Sequence, residues 1–260
     1  MQIDLKGKRI LVTGASGFGV GAGVCEVLSA CGATVLVNAR SMEQAEEAAA
    51  KYPNAIPIVG DISKPEDVEH IFKQAGVVHG LVNNAGIGLS KPAHEASIEE
   101  FDRLYGIDVR GLWMMSRAFV RQLQENSLQG NIVNISSVHA HSTMNGYGIY
   151  ASAKAAIEGL TRGMSVELGK YNIRVNAVSP GYVHAEQNYE LIGSWTDDPK
   201  GWVKQHSNNQ QSLKHEISNT DCGNSVAFLL SDLARSITGQ SLYIDNGMTC
   251  MLYNNDFIDN

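Results

Sequence analysis

The sequence predicts a doubly wound α/β fold: a single domain over residues 1–260, with a mainly parallel seven-stranded sheet and helices on both faces. Three observations carry this. Short β-branched runs alternate with longer helical patterns from end to end. Most of those runs are apolar throughout instead of alternating, as strands covered on both faces are. No Pro/Ser-rich linker, internal repeat or low-complexity tract divides the 260 residues, whose 43 % hydrophobic content supplies a sizeable core.

The first strand, Arg9–Val12, runs through Thr13-Gly-Ala-Ser-Gly-Phe-Gly-Val-Gly21 into a helix at about Gly19–Cys31. Glycine lets a backbone turn sharply and approach a pyrophosphate, whose charge is met by free N–H groups at the helix N-terminus. Between the first strand and first helix of a βαβ unit, such a turn reads as a dinucleotide cradle, carrying Gly14, Ser16, Gly19, Val20 and Gly21. The second strand, Thr34–Asn38, leads to Ala39-Arg40-Ser41 and a helix over Ser41–Tyr52. A carboxylate at this strand end would hold ribose hydroxyls and repel a 2′-phosphate. Here a guanidinium stands instead, so Arg40 and Ser41 point to NADP(H), with NAD(H) the alternative.

A third strand, Ile56–Val59, precedes a helix at Pro65–Gln74; a fourth, Gly80–Asn83, precedes a long helix at Ile98–Asn126. The fifth, Asn131–Ile135, ends at Ser136-Ser137, and the helix Gly148–Tyr171 follows, with Ala153, Ile157, Leu160, Met164 and Leu168 on one face. That helix carries Tyr150 and Lys154, whose i,i+4 spacing puts phenol and ammonium side by side. A neighbouring positive charge favours phenolate and suits the group to proton transfer. The hydroxyl of Ser137 is placed to hydrogen-bond a substrate oxygen as charge develops on it. After a sixth strand, Ile173–Val178, comes Tyr182–Ser218, a polar, aromatic-spotted stretch longer than ordinary loops, read as a substrate lid over 182–218. A helix at Asp221–Ser231, a strand at Leu242–Ile244 and an extension over 250–260 complete the chain.

Twenty Lys plus Arg against 27 Asp plus Glu give a net charge of −7 without a basic run, which argues against a nucleic-acid partner. No apolar stretch is long enough to span a membrane and the start has no leader-like pattern, so the expectation is a cytoplasmic protein with no membrane partner. Four cysteines without a C-x-x-C pair read as reduced thiols, and the eight histidines show no metal-ligand spacing, so no metal is expected.

Taken together, the glycine turn, Asp61-Ile62, Asn83-Asn-Ala-Gly86, Ser137, Tyr150-x-x-x-Lys154, Asn176-Ala-Val-Ser-Pro-Gly181, Ile237-Thr-Gly-Gln240 and Asp245-Asn-Gly247 follow one order and spacing. From about Leu5 to Thr249 the chain resembles the short-chain dehydrogenase/reductase superfamily, in its single-domain branch. The resemblance implies a Rossmann-like sheet and reversible hydride transfer between a nicotinamide and a carbonyl or secondary alcohol. It implies that Tyr150 is the general acid for reduction and base for oxidation. Lys154 would bond the nicotinamide ribose and assist the tyrosine, and Ser137 would polarise the carbonyl. Asp61 and Ile62 would flank the adenine, Asn84, Ala85 and Gly86 would line the adenosine side, and Pro180, Gly181 and Val183 would border the nicotinamide. A homotetramer built through the long helices and last strand is implied too.

Three departures from the family pattern stand out. The glycine loop is one residue longer, an insertion that Gly17 at positive φ would accommodate. Asp108 replaces the Asn that, in the family, helps hold a water relaying protons through the lysine; a carboxylate accepts as the amide oxygen does but cannot donate when ionised. Ala185 replaces a Thr that bonds the cofactor, for which His184 or Gln187 are possible substitutes.

Around Ser137 and Tyr150 the sequence brings His139, His141, Asn145 and Tyr147, and the lid adds His184, Gln187, Asn188, Tyr189, Trp195, Trp202, Gln205 and His206. His139 and His184 are the candidate substrate ligands beside Ser137 and Tyr150. Hydrogen-bonding groups among flat aromatics suit a small-molecule carbonyl or alcohol that is sugar-like or a keto acid. Alternatives are an NAD-dependent alcohol or sugar dehydrogenase, a 3-ketoacyl thioester reductase, and an NADP-binding sensor or structural subunit without turnover.

Overall fold

The computed structural model describes residues 3–184 and 188–252. Its strands are β1 (Arg9–Val12), β2 (Thr34–Ala39), β3 (Ile56–Val59), β4 (Gly80–Asn83), β5 (Asn131–Ile135), β6 (Arg174–Pro180) and β7 (Ser241–Ile244). They form one seven-stranded sheet in the order β3-β2-β1-β4-β5-β6-β7. Every pairing between neighbours is parallel. The order reverses between β1 and β4, and in open α/β sheets the crevice beyond the carboxyl ends at such a point is where ligands bind.

Both faces of the sheet are covered, which is why its strands read as unbroken apolar runs. On one face Val12, Val37 and Val82 pack with Val24 and Leu28 of α1 (Val20–Ala30), Ala48 of α2 (Met42–Ala49) and Val226 and Leu230 of α9 (Asn219–Leu230). On the other, Leu11, Leu36, Leu81 and Ile132 meet Ile71 of α3 (Pro65–Ala75), Met115 and Phe119 of α5 (Leu112–Glu125) and Leu168 of α6 (Gly148–Leu168). Fully burying a side chain of this size is worth roughly 1.5–3 kcal/mol, so the two layers dominate the fold's stability. α1 and α9 cross closely because Gly23 and Gly223 face each other: a side chain on Gly223 would strike the Gly23 carbonyl.

Three sequence expectations are corrected. The long helix expected over Ile98–Asn126 is divided into α4 (Ile98–Tyr105) and α5 by a π-turn at Gly106–Gly111. The wide turn carries Asp108 inward, and Gly111 lets the backbone lie against Ile62, whose carbonyl oxygen would stand 3.1 Å from any Cβ there. The expected apolar face of α6 is only partly buried. Ala153, Ile157 and Leu168 are inside, Leu160 and Met164 are half-buried, and the polar Lys154, Glu158 and Thr161 share the buried face. Finally, the stretch read as a long loop at 182–218 contains two helices, α7 (Asn188–Gly193) and α8 (Pro199–Gln210). It leaves and returns at one place: Val183 bridges Ile217, and His184 N–H donates to the Ile217 carbonyl at 3.2 Å.

Cys25 and Cys222 are buried and unpaired, and burial pushes both thiols up to about 12, which makes them packing groups and not nucleophiles. No helix among the described residues is long and apolar enough to cross a membrane.

Candidate active site

Two clefts open beyond the carboxyl ends of the strands and share Asn84, Gly86 and Ile87. The first, of about 350 Å³, is lined by Gly14, Ser16, Asn38, Arg40, Asp61, Ile62 and Ala85. The second, of about 310 Å³, is lined by Val20, Ser137, Tyr150, Lys154, Pro180, Gly181 and Val183. A further cavity of about 380 Å³ lies at the opposite, amino edge of the sheet. Its Arg174 donates to the carbonyls of Leu229 and Ser231.

The glycine loop is built for close backbone approach. Gly14 has φ +61°, and a Cβ there would lie 2.7 Å from Ala85 Cα and Cβ. The hydroxyl of Thr13 accepts from the N–H groups of Asn84 (3.0 Å) and Ala85 (3.1 Å), and Asn84 Nδ2 donates to the Thr13 carbonyl at 2.9 Å. These bonds lock the loop after β4 onto the loop after β1. No side chain caps α1 at Gly19, so its first-turn N–H groups face the loop without a side-chain acceptor. The loop therefore fits a pyrophosphate, which would be held by backbone N–H groups and the positive end of α1. The extra residue is not absorbed as expected, because Gly17 does not adopt positive φ. The left-handed turn is taken at Gly14 alone, while Gly17 and Gly19 stand in open space.

At the end of β2, Arg40 lines the first cleft, whereas Ser41 does not; its hydroxyl accepts from Gln44 N–H at 3.3 Å and caps α2. Asp61 has its Oδ1 bonded by the Ser63 hydroxyl at 2.7 Å and N–H at 2.9 Å. Burial alone would raise its pKa. The Ser63 bonds and the cations of Lys64 and Arg40 outweigh that and hold the carboxyl below its usual range. Sequence reasoning missed two contributors here. Asn38, 2 % exposed, donates to the carbonyl of Gly60 at 3.1 Å and accepts from Gly14 N–H at 3.4 Å, tying the glycine loop to β3. Arg103 of α4 lines the same cleft. Asn38 carried a signal, a polar residue inside an apolar strand; Arg103 carried none, because it reaches the cleft from a distant helix.

In the second cleft Ser137 is buried at the end of β5, and its Oγ accepts from His139 N–H at 3.3 Å, leaving the hydroxyl proton free. Lys154 Nζ lies 5.4 Å from the Tyr150 ring centroid and 3.0 Å from Asp108 Oδ2. The latter contact is an ion pair without the alignment of a hydrogen bond. The other oxygen, Asp108 Oδ1, accepts from Ile87 N–H at 2.8 Å, which fastens the loop after β4 to the π-turn. One turn beyond Lys154, Glu158 accepts from the Ser179 hydroxyl at 2.7 Å and from the Tyr243 phenol at 3.3 Å. Burial and the Glu158 carboxylate push Tyr243 up to about 12, so it stays protonated and does not compete as a base. Beneath the site a buried chain runs from Ser116 to Asn83, Asn134 and Thr161, each link 2.9 Å, bracing α5, β4, β5 and α6 against one another.

Beside these clefts lies a wider one, of about 540 Å³, between the loop after β5 and α8. His139 projects into it, with Nδ1 held by Thr143 Oγ1 at 2.9 Å and its ring edge-on to Tyr150 at 5.4 Å. Burial keeps this imidazole below its ordinary pKa and does the same for His206 across the cleft. His184 does not line any of these clefts. It packs on Tyr189 at 4.6 Å, and its Nδ1 meets the Tyr182 hydroxyl at 3.4 Å. Ala185 and Gln187 lie outside the described residues, as do 253–260 of the C-terminal extension. No group of three or more His, Cys, Asp or Glu among the described residues is arranged to hold a metal ion.

Residues 14–249 match the family model described as enoyl-(acyl carrier protein) reductase. The chain is 35 % identical over 253 residues to an L-xylulose reductase of Caenorhabditis elegans, covering 95 % of this chain and 97 % of that one. It is 34 % identical over 247 residues to carbonyl reductase [NADPH] 2 of Sus scrofa, covering 95 % and 98 %. Among solved structures it resembles a gluconate 5-dehydrogenase from Burkholderia cenocepacia J2315 in complex with NADP and tartrate. That likeness has a TM-score of 0.86 and 25 % identity, over 96 % of this chain and 98 % of that one.

Proposed function

The chain belongs to the short-chain dehydrogenase/reductase superfamily and is an oxidoreductase acting on CH–OH and C=O groups; from that premise we propose that it moves hydride between NADP(H) and a polar, sugar-like or keto-acid substrate. One observation carries the reading. Ser137, Tyr150 and Lys154 line a single cleft that is continuous, through Asn84 and Gly86, with the cleft holding Gly14 and Arg40. A dinucleotide laid along both would place its phosphates at the glycine loop and its nicotinamide beside Tyr150.

When bound, the cofactor supplies the hydride acceptor or donor. The residues do the rest. Ser137 donates its free hydroxyl proton to the substrate oxygen, stabilising charge as it forms there. Tyr150 gives its phenolic proton to that oxygen in reduction and takes it back in oxidation. Lys154 sets its ammonium 5.4 Å from the Tyr150 ring centroid, and Asp108 holds Lys154 in place. Pro180, Gly181 and Val183 would wall the nicotinamide side, while Asp61 and Ile62 would flank the adenine. Arg40 would meet the 2′-phosphate, a role suited to a guanidinium where the end of β2 itself carries no carboxylate, although its charge also reaches Asp61 in the same cleft. The NADPH-dependent name of one relative and the NADP in the related structure support that choice.

The same reading takes the chain as one catalytic domain with 182–218 as its lid, working in the cytoplasm. A homotetramer is supported by the exposed apolar Phe101 and Trp113 on α4 and α5 and by Val166 on α6. The direct test follows NADPH and NADH oxidation across ketones, keto sugars, keto acids and acyl thioesters, with Tyr150→Phe as control. Turnover with NADPH on polar carbonyls supports the reading, and cofactor binding without turnover of any compound overturns it.

A further inference from the structure

The cleft beside Tyr150 has an unusual electrostatic character for a pocket that would take a keto acid. Its polar wall consists of His139, Ser142, Thr143, Gln205, His206, Asn209 and Gln210, and Trp202 and Met144 supply flat or apolar surface between them. Among the described residues that line it, none is a lysine or arginine. The loop on one side, Val138–Ile149, contains no charged residue, and from Tyr182 to Pro199 the sequence has no lysine or arginine.

The lysines around the cleft are paired or turned away from it, and Lys91, whose backbone N–H donates to the Gly146 carbonyl of the cleft loop, pairs with Glu100 at 2.9 Å. Lys154 is paired with Asp108 at 3.0 Å. Lys200 and Lys204 of α8 are exposed and lie two positions to either side of Trp202, on the face of the helix opposite the wall formed by Trp202, Gln205, His206 and Asn209. Lys214 donates to the Asn208 carbonyl. An anion, by contrast, stands three residues before the lining Met248: Asp245, whose carboxylate is bonded by Gly247 and Thr249.

A carboxylate brought into this cleft would lose its water and find neutral donors only, with a fixed negative charge nearby. An ionised group so placed is strongly disfavoured unless it is paired. A hydroxyl in the same position loses little, because amides, hydroxyls and imidazoles both donate and accept. We infer that the substrate site takes an uncharged hydroxylated carbonyl compound and rejects its carboxylate analogue. This rests on the hydride-transfer reading above and narrows it: of the sugar-like and keto-acid classes, the site is built for the first.

L-sorbose and 5-keto-D-gluconate, which differ only in a terminal hydroxymethyl against a carboxylate, make the test. With NADPH, kcat/KM for the neutral ketose is expected to exceed that for the keto acid by at least about tenfold. Gln205→Arg, on the exposed face of the wall, is expected to shift that ratio toward the keto acid by about tenfold or more, since arginine pairs with carboxylates in bidentate fashion. Equal or better use of the keto acid by the unaltered enzyme, or no shift in the variant, overturns the inference. Should no carbonyl be turned over with either cofactor, the hydride-transfer reading fails separately. The charge preference is then read from quenching of tryptophan fluorescence by sorbitol and by gluconate in the presence of NADP. Binding of the polyol alone supports it, and binding of neither, or of gluconate as tightly, overturns it.

Discussion

Asp108 Oδ2 lies 3.0 Å from Lys154 Nζ, an ion pair sealed between the π-turn and α6, with the two side chains 0 % and 7 % exposed. The family pattern places an asparagine where Asp108 stands, and the carboxylate does two jobs there. One oxygen faces the ammonium and the other accepts from Ile87 N–H. Removing one partner of a buried pair is costlier than the pair's net worth, because the remaining charge has nothing to offset its desolvation. Asp108→Ala is therefore expected to destabilise the fold by about 3–5 kcal/mol in urea unfolding. Asp108→Asn also removes the counter-charge of Lys154 but keeps an acceptor for Ile87 N–H, so it is expected to cost less by the worth of that bond, roughly 1 kcal/mol. A loss for Asp108→Ala no larger than for an exposed aspartate would show that the pair is not sealed.

Tyr150 is half-buried and its ring is held edge-on by His139 and Tyr147, so the phenolic oxygen can be removed with little disturbance of packing. Tyr150→Phe is expected to lower kcat by about 10²- to 10⁴-fold, the usual range for a lost proton donor, with Tm unchanged and NADPH still bound. Fluorescence titration and steady-state kinetics on one preparation separate the two effects. Ser137→Ala is expected to lower kcat as well, and loss of NADPH binding in either variant would assign the residue to the cofactor instead.

Arg40 is expected to discriminate between cofactors without affecting chemistry. A charge-assisted hydrogen bond to phosphate is worth about 1.5–3 kcal/mol, so Arg40→Ala is expected to lower kcat/KM for NADPH by about 10- to 100-fold. NADH lacks the 2′-phosphate and is expected to change less than about threefold. An unchanged NADPH-to-NADH ratio would remove Arg40 from phosphate recognition and leave Arg103, in the same cleft, as the other cation to test.

The sheet was legible because its strands are unbroken apolar runs ended by glycine or polar residues, and burial on both faces demands that pattern. Tyr150 and Lys154 were legible as a pair because one helical turn separates them. The Asp108–Lys154 pair was not. Forty-five positions intervene, and the π-turn that points the carboxylate inward has no periodicity of its own. The helices within 182–218 were hidden for a different reason. α8 reads Pro-Lys-Gly-Trp-Val-Lys-Gln-His-Ser-Asn-Asn-Gln, and it buries only Val203 and Ser207 fully, beside the half-buried Trp202, His206 and Asn209, where a buried stripe would be aliphatic. Gly17 misled because a glycine in a loop invites a left-handed conformation. In the fold, the close approach of Ala85 demands it at Gly14 instead.

Burial lowers the pKa of His139 and His206, and of His79, where the nearby Lys8 and Arg9 add to it. The sign of the consequence follows from which state binds protons. Above the ordinary imidazole value of about 6.5, folded and unfolded chains are both neutral at these positions, and stability does not depend on pH through them. As pH falls below that value the unfolded chain takes up protons that the folded chain refuses, so stability declines until the lowered folded-state values are reached. Each of the three sites has a local reason to stay neutral: His139 is packed between Tyr147 and Tyr150, His206 is stacked on Trp202 at 5.2 Å, and His79 Nδ1 accepts from Arg9 N–H at 3.1 Å. Tm measured from pH 7.5 down to 5 is expected to fall, and to fall less steeply in His206→Phe, which keeps the stacked ring and removes the titrating group. An identical slope in the variant would show that protonation of His206 does not contribute to the acid-side loss of stability.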